Sequence, residues 1–145
     1  MSFNPTELLG REWTTLQHDC ERYEHGAMWI KLSAAALFAL SIVFGLDTAV
    51  TALLMGVLWL QEAILRTNQS RLSARLMRVE EWLREAEPPL GIACQLYTEW
   101  HAIRQGTGAL LTEYLGNAVR PTVAFPYAVL LAAALALAVT ATPQP

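Results

Sequence analysis

Residues 32–61 carry one formal charge, Asp47, which stands beside Gly45 and Leu46 near the middle of the stretch. Each half is too long for an ordinary core strand. It has about the length that a helix rising about 1.5 Å per residue needs to cross about 30 Å of hydrocarbon. The pattern therefore predicts a transmembrane hairpin that turns at Gly45, Leu46 and Asp47. Lys31 and Glu62 bound the stretch at equal distances from the Leu46/Asp47 junction. In an antiparallel pair they reach the same depth with opposite charges.

Composition supports a membrane chain, with 54% hydrophobic and 16% charged residues against about a quarter charged in soluble proteins. A third apolar stretch, residues 122–142, has no formal charge. The 145 residues are read as one membrane-embedded domain. Residues 1–25 form an arm, 26–46 and 48–65 the first two spans, 66–120 a polar segment, and 122–142 the third span. That third span is expected to be the weakest, with Pro126 interrupting its first turns, and so to lean on protein more than on lipid.

All ten Lys and Arg residues lie in the arm and its junction with the first span, in the segment 66–104, or at Arg120. The chain is read as a cell inner (plasma) membrane protein, and the positive-inside rule puts its N-terminus and central segment in the cytoplasm. The hairpin turn and the C-terminus fall outside. The first apolar run reads as a signal anchor, because no small-residue cleavage pattern follows it. Cys20 and Cys94 fall on the reducing side, which argues against a structural disulfide. A net charge of −3 excludes general nucleic-acid binding.

Apolar residues recur at Leu9, Trp13, Leu16, Cys20 and Tyr23, and again at Leu65, Leu72, Leu76, Val79 and Leu83 with Gln69 between. This is heptad spacing on one helical face. Asn4, Pro5 and Thr6 form a helix start, and Pro88 with Pro89 a stop. The hairpin is thus expected to extend into the cytoplasm as two arms of matched length. A further amphipathic helix is expected over residues 90–117, with Ile92, Leu96, Trp100, Ile103, Leu110 and Tyr114 on one face. Near the membrane, Asp19, Glu21 and Glu24 are expected level with Arg66, Arg71, Arg75 and Arg78. Farther out, Glu7 and Glu12 would meet Glu80, Glu81 and Glu85. The fold class is all-α, with three transmembrane helices continued by a small up-down-up bundle.

Five constellations are candidates for chemistry. Lys31 and Glu62 are ionisable groups at span ends and read as a registering ion pair. Asp47 is either a cap on the second helix or, in an oligomer, part of an acidic pore mouth. Arg71, Arg75 and Arg78 make a basic stripe suited to anionic lipid, with Trp82 one turn beyond Arg78 for a cation and ring contact. His18, Glu21 and His25 share a face and could present metal ligands, but no further ligand is identifiable, so no metal site is assigned. Thr48, Ala52 and Gly56 form a small-residue stripe for close helix packing, as do Ala132 and Ala136.

No phosphate-cradling loop, zinc-spaced cysteine pair or nucleophile motif is present. The chain is therefore read as a non-catalytic inner-membrane subunit or scaffold, without a cofactor. Its expected partners are the lipid bilayer and further copies of itself or a larger membrane complex, engaged through the cytoplasmic helices. The competing reading is an oligomeric pore lined by the second span, with Asp47 and Glu62 facing the lumen.

Overall fold

The computed structural model describes residues 4–85, 93–96, 98 and 106–141. The described residues are helical, with no strand among them. Helix α1 spans Pro5–Phe44, α2 Thr48–Arg84, α3 Thr107–Ala118 and α4 Pro121–Ala141. α1, α2 and α4 are each long and apolar enough to cross a membrane.

The ends of α1 and α2 follow from local chemistry. Asn4 Oδ1 accepts from the Thr6 N–H at 3.2 Å, and Pro5 occupies the first helical position, where a missing N–H costs nothing. At the other end Gly45 adopts φ +63°, a left-handed conformation that a Cβ would strain. The Leu46 N–H then reaches Ser41 O at 2.9 Å and the Gly45 N–H reaches Ile42 O at 3.3 Å, satisfying carbonyls that a helix end leaves open. Asp47 Oδ1 restarts the chain by accepting from the N–H groups of Ala49 at 2.8 Å and Val50 at 3.3 Å. Two helices of 40 and 37 residues thus fold back on each other, each about 55–60 Å long at helical rise.

Four of the polar contacts between α1 and α2 are Trp13 with Glu80, Cys20 with Ser73, Glu24 with Gln69 and Lys31 with Glu62. Both members of each of these four pairs stand equally far from the Leu46/Asp47 junction, so one backbone register holds along the hairpin; the Glu12–Arg75 pair departs from it, reaching between levels. The heptad stripes close over it. Leu9, Leu16 and Val79 are buried in the polar half, flanked by Trp13, Leu72, Leu76 and Leu83. Ala34, Met55 and Tyr127 are buried in the apolar half, flanked by Leu37, Phe38, Leu58 and Trp59. α3 and α4 both pack on α2, α3 along its polar half and α4 along its apolar half.

Several expectations need correction. The third amphipathic helix does not run through Gly106; that residue is the N-cap of α3, which begins at Thr107. Ala93 and Leu96 pack on the Leu9/Leu16/Val79 core, while Ile92, Trp100 and Ile103 lie outside the described residues. Glu12 does not face Glu80, Glu81 and Glu85; it reaches back to Arg75, and Glu80 accepts the Trp13 indole N–H instead. The last helix is not interrupted at Pro126. It is the most hydropathic of the three candidate spans, and no greater share of it is buried than of α1. Proline in a helix leaves the carbonyl four residues earlier without its N–H partner. Here that carbonyl is Thr122 O, and Lys31 Nζ donates to it at 2.9 Å.

Candidate functional site

Glu62 lies on the inner face of α2 and is fully buried. A carboxylate removed from water is tolerated only with compensating charge and hydrogen bonds, and three helices supply them. From α4, the Tyr127 hydroxyl donates to Glu62 Oε2 at 3.0 Å. From α1, Lys31 Nζ stands 3.2 Å from Oε1, and Arg66 Nε, one turn along α2, stands at 3.9 Å. Oε1 therefore lies between two cations at ion-pair distance, yet neither is aligned as a hydrogen-bond donor to it. Lys31 aligns instead on the carbonyl that Pro126 leaves open.

The surrounding contacts fix this node at the junction of all four helices. The Trp59 ring stacks on Tyr127, with centroids 6.3 Å apart and planes 19° from parallel. Its indole N–H donates to Ala118 O at the end of α3, at 3.0 Å. Slightly farther along α2, buried Asn117 donates to Thr67 Oγ1 at 2.8 Å, and that hydroxyl donates to Ala63 O at 2.9 Å. α3 is thereby pinned where it gives way to α4.

A second ionic node lies in the polar half. Arg75 is fully buried; its Nε donates to Glu12 Oε1 at 2.9 Å and its Nη2 to Glu12 Oε2 at 3.3 Å. Its guanidinium also lies over Trp82, 4.9 Å from the ring centroid. Glu12 Oε2 accepts the backbone N–H of Cys94 at 2.9 Å, where Cys94 itself has φ +63°. Arg71 pairs with Glu113 of α3 at 2.6 Å.

The expected site residues thus separate. Lys31 and Glu62 come together, and Asp47 caps α2. The basic stripe divides, because Arg75 is buried against Glu12 and Arg71 is engaged by Glu113, so neither presents a free guanidinium to lipid. Arg78 is half-buried, and the Trp82 contact given above is made by Arg75. His18, Glu21 and His25 are exposed; His18 Nδ1 is 3.9 Å from Glu21 Oε2, and His25 Nδ1 contacts Glu21 O of its own helix at 2.9 Å. Among the described residues no three of His, Cys, Asp and Glu converge to hold a metal ion. Thr48, Ala52 and Gly56 are only half-buried, and a methyl group at Gly56 would meet no atom within 4 Å. The tight approach within the hairpin is at Gly26, where a Leu65 methyl lies 3.4 Å from the position a Cβ would take.

Sequence reading missed Tyr127, Trp59, Asn117, Thr67 and the pairing of Glu12. The one available signal was Tyr127 itself, a phenol directly after a helix proline in a span built mostly of Ala, Leu and Val. Comparison with protein-family models, curated proteins and solved structures gives no match. The geometry alone carries the functional reading. The buried charges join helices to one another, and a lumen lined by α2 would have Asp47 at its mouth but not Glu62, which faces α1 and α4 of its own chain.

Proposed function

We propose that the protein is a non-catalytic subunit or scaffold of the cell inner membrane. It self-associates or binds partner proteins through its polar-half helices. In this reading three spans cross the bilayer, the polar halves of α1 and α2 stand in the cytoplasm with α3, and the hairpin turn and C-terminus lie outside. The placement rests on the distribution of Lys and Arg.

The observation that carries the assembly role is on α3. Leu111, Leu115 and, at the C-cap of the helix, Val119 are 60%, 63% and 70% exposed at four-residue spacing, while the opposite side of the helix holds α2 through Glu113 and Asn117. An apolar stripe on a rigidly held helix outside the spans is suited to a helix of a neighbouring subunit. The ionic nodes stiffen the hairpin behind it, which favours a presenting frame over a mobile one.

Native mass measurement after extraction in mild detergent tests this reading. The expected result is a multiple of the 16.1 kDa chain or a defined complex with a partner, reduced to monomer by Leu111→Glu with Leu115→Glu. Recovery of wild type as a lone monomer from lipid-retaining extraction would refute it.

A further inference from the structure

An open cleft of about 430 Å³ lies between the flank of α2 and the head of α4. Its polar wall is Arg66, Gln69, Ser70 and Ser73 from α2, with Arg120 just before α4 and Thr122 in its first turn. The cleft sits where apolar surface ends. Arg66 follows the apolar part of α2, and Arg120 immediately precedes the apolar window of α4. Trp29, 64% exposed two residues before Lys31, marks the same height on α1, as aromatic side chains do at a bilayer surface.

The charges facing this cleft favour an anion. Arg66 and Arg120 line it, and Lys31 lies behind Thr122, whose carbonyl it contacts. Against these three cations stand Glu62, buried behind Arg66 and held by Tyr127, and Glu24, which accepts from Gln69 at 3.2 Å. Arg120 is exposed and makes no ion pair among the described residues. Arg66 uses Nη1 on Gln69 Oε1 at 2.7 Å and leaves Nη2 uncommitted among those residues. Ser70 gives its proton to Thr67 O, so it adds no donor to the wall. Below the cleft, Phe125 and Val129 are 69% and 51% exposed and follow Thr122 at three- and four-residue spacing on one face of α4. A charged slot thus opens onto an apolar track.

We infer that this cleft holds the phosphate of an anionic phospholipid, clamped by Arg66 and Arg120, with an acyl chain along Phe125 and Val129. Paired guanidinium groups match phosphate oxygens in number and geometry, and the site lies at headgroup height. The apolar track distinguishes a lipid from free phosphate. This site is separate from the assembly stripe of α3 and does not depend on the protein forming oligomers.

The test uses the full chain in neutral detergent, with phosphatidylglycerol or phosphatidylcholine of identical acyl chains added and retention read by native mass spectrometry. Wild type is expected to retain phosphatidylglycerol preferentially, and Arg120→Gln to weaken that retention about tenfold, the loss of one charge-assisted contact. Arg120→Lys should recover part of it, and Arg84→Gln, which alters an exposed arginine at the far end of α2, should change nothing. Inorganic phosphate should not displace the lipid. Equal retention of the two lipids, equal losses in Arg120→Gln and Arg84→Gln, or displacement by inorganic phosphate would each overturn the assignment. Lipid-free thermal unfolding of Arg120→Gln should match wild type; if that variant fails to fold, full retention of phosphatidylglycerol by Phe125→Ser would overturn it instead.

Discussion

Glu62 and Arg75 are both fully buried charged residues on α2, about 20 Å apart along the helix, and they are neutralised in different ways. Arg75 is closed by a two-point contact with Glu12 and by the Trp82 face. Glu62 meets groups from three helices, but one of its oxygens is held by charge without an aligned donor. The polar-half node is therefore a lock with few equivalent arrangements. The apolar-half node is a shared centre, where loss of one cation leaves another within reach. Position explains the difference. The outer pair joins α1, α2 and the 93–96 segment across a small core, whereas Glu62 receives side chains from α1, α2 and α4.

The comparison fails first if the two nodes respond equally to loss of a partner. Glu12→Ala removes the carboxylate that pairs with the buried Arg75 guanidinium at two points and the acceptor of the Cys94 N–H. The expected loss is about 3–5 kcal/mol in unfolding by sodium dodecyl sulfate titration. Glu12→Leu combined with Arg75→Met should recover much of it, since two apolar groups need no compensation. A loss for Glu12→Ala below that of Lys31→Met would reverse the ranking of the nodes.

Lys31→Met tests the shared centre. Lys31 keeps 29% of its side chain exposed, so solvent already screens part of the attraction. Arg66 and Tyr127 remain beside Glu62 after the change, and the expected loss is about 1–2 kcal/mol. Adding Glu62→Gln should bring stability back toward wild type. A double-mutant cycle with no coupling would remove the ion pair as a stabilising contact.

Smaller still is the pin between α3 and α2. Asn117→Ala removes the donor to Thr67, but that hydroxyl keeps its own bond to Ala63 O. The expected loss is about 1 kcal/mol, measured in the same titration. A loss as large as that of Glu12→Ala would mean that α3 is held chiefly here and not by the Arg71–Glu113 pair.

The parts of this architecture readable in sequence are those set by periodicity and symmetry. The charge-poor run, the Gly45 to Asp47 turn and the heptads all measure distance along a helix, so Lys31 and Glu62 could be matched by position. Glu12 could not, because Arg75 is long enough to leave the level of its own backbone, and the pairing depends on the 93–96 segment folding back. Tyr127 and Asn117 were hidden for a related reason. Each belongs to an element whose rotation against α2 follows from packing and from no repeat in its own sequence. Pro126 shows the same limit in reverse. It reads as a breaker in isolation, but in the folded chain it leaves Thr122 O open to Lys31.

Asp47 is the smallest of these tests, and it separates two properties of one side chain. As a cap it accepts two backbone N–H groups with Oδ1; as an acid it carries charge at the exposed turn. Asp47→Asn keeps an accepting oxygen and removes the charge, so it should stay within about 0.5 kcal/mol of wild type. Asp47→Ala removes both and should cost about 1 kcal/mol. Equal losses in the two variants would assign the effect to charge. Bilayer conductance provides a second axis, because an acidic ring at a pore mouth would make current sensitive to Asp47→Asn even where stability is unchanged. With Glu62 enclosed by its own chain, the expected outcome is a silent bilayer for both wild type and variant, with only the alanine substitution lowering stability.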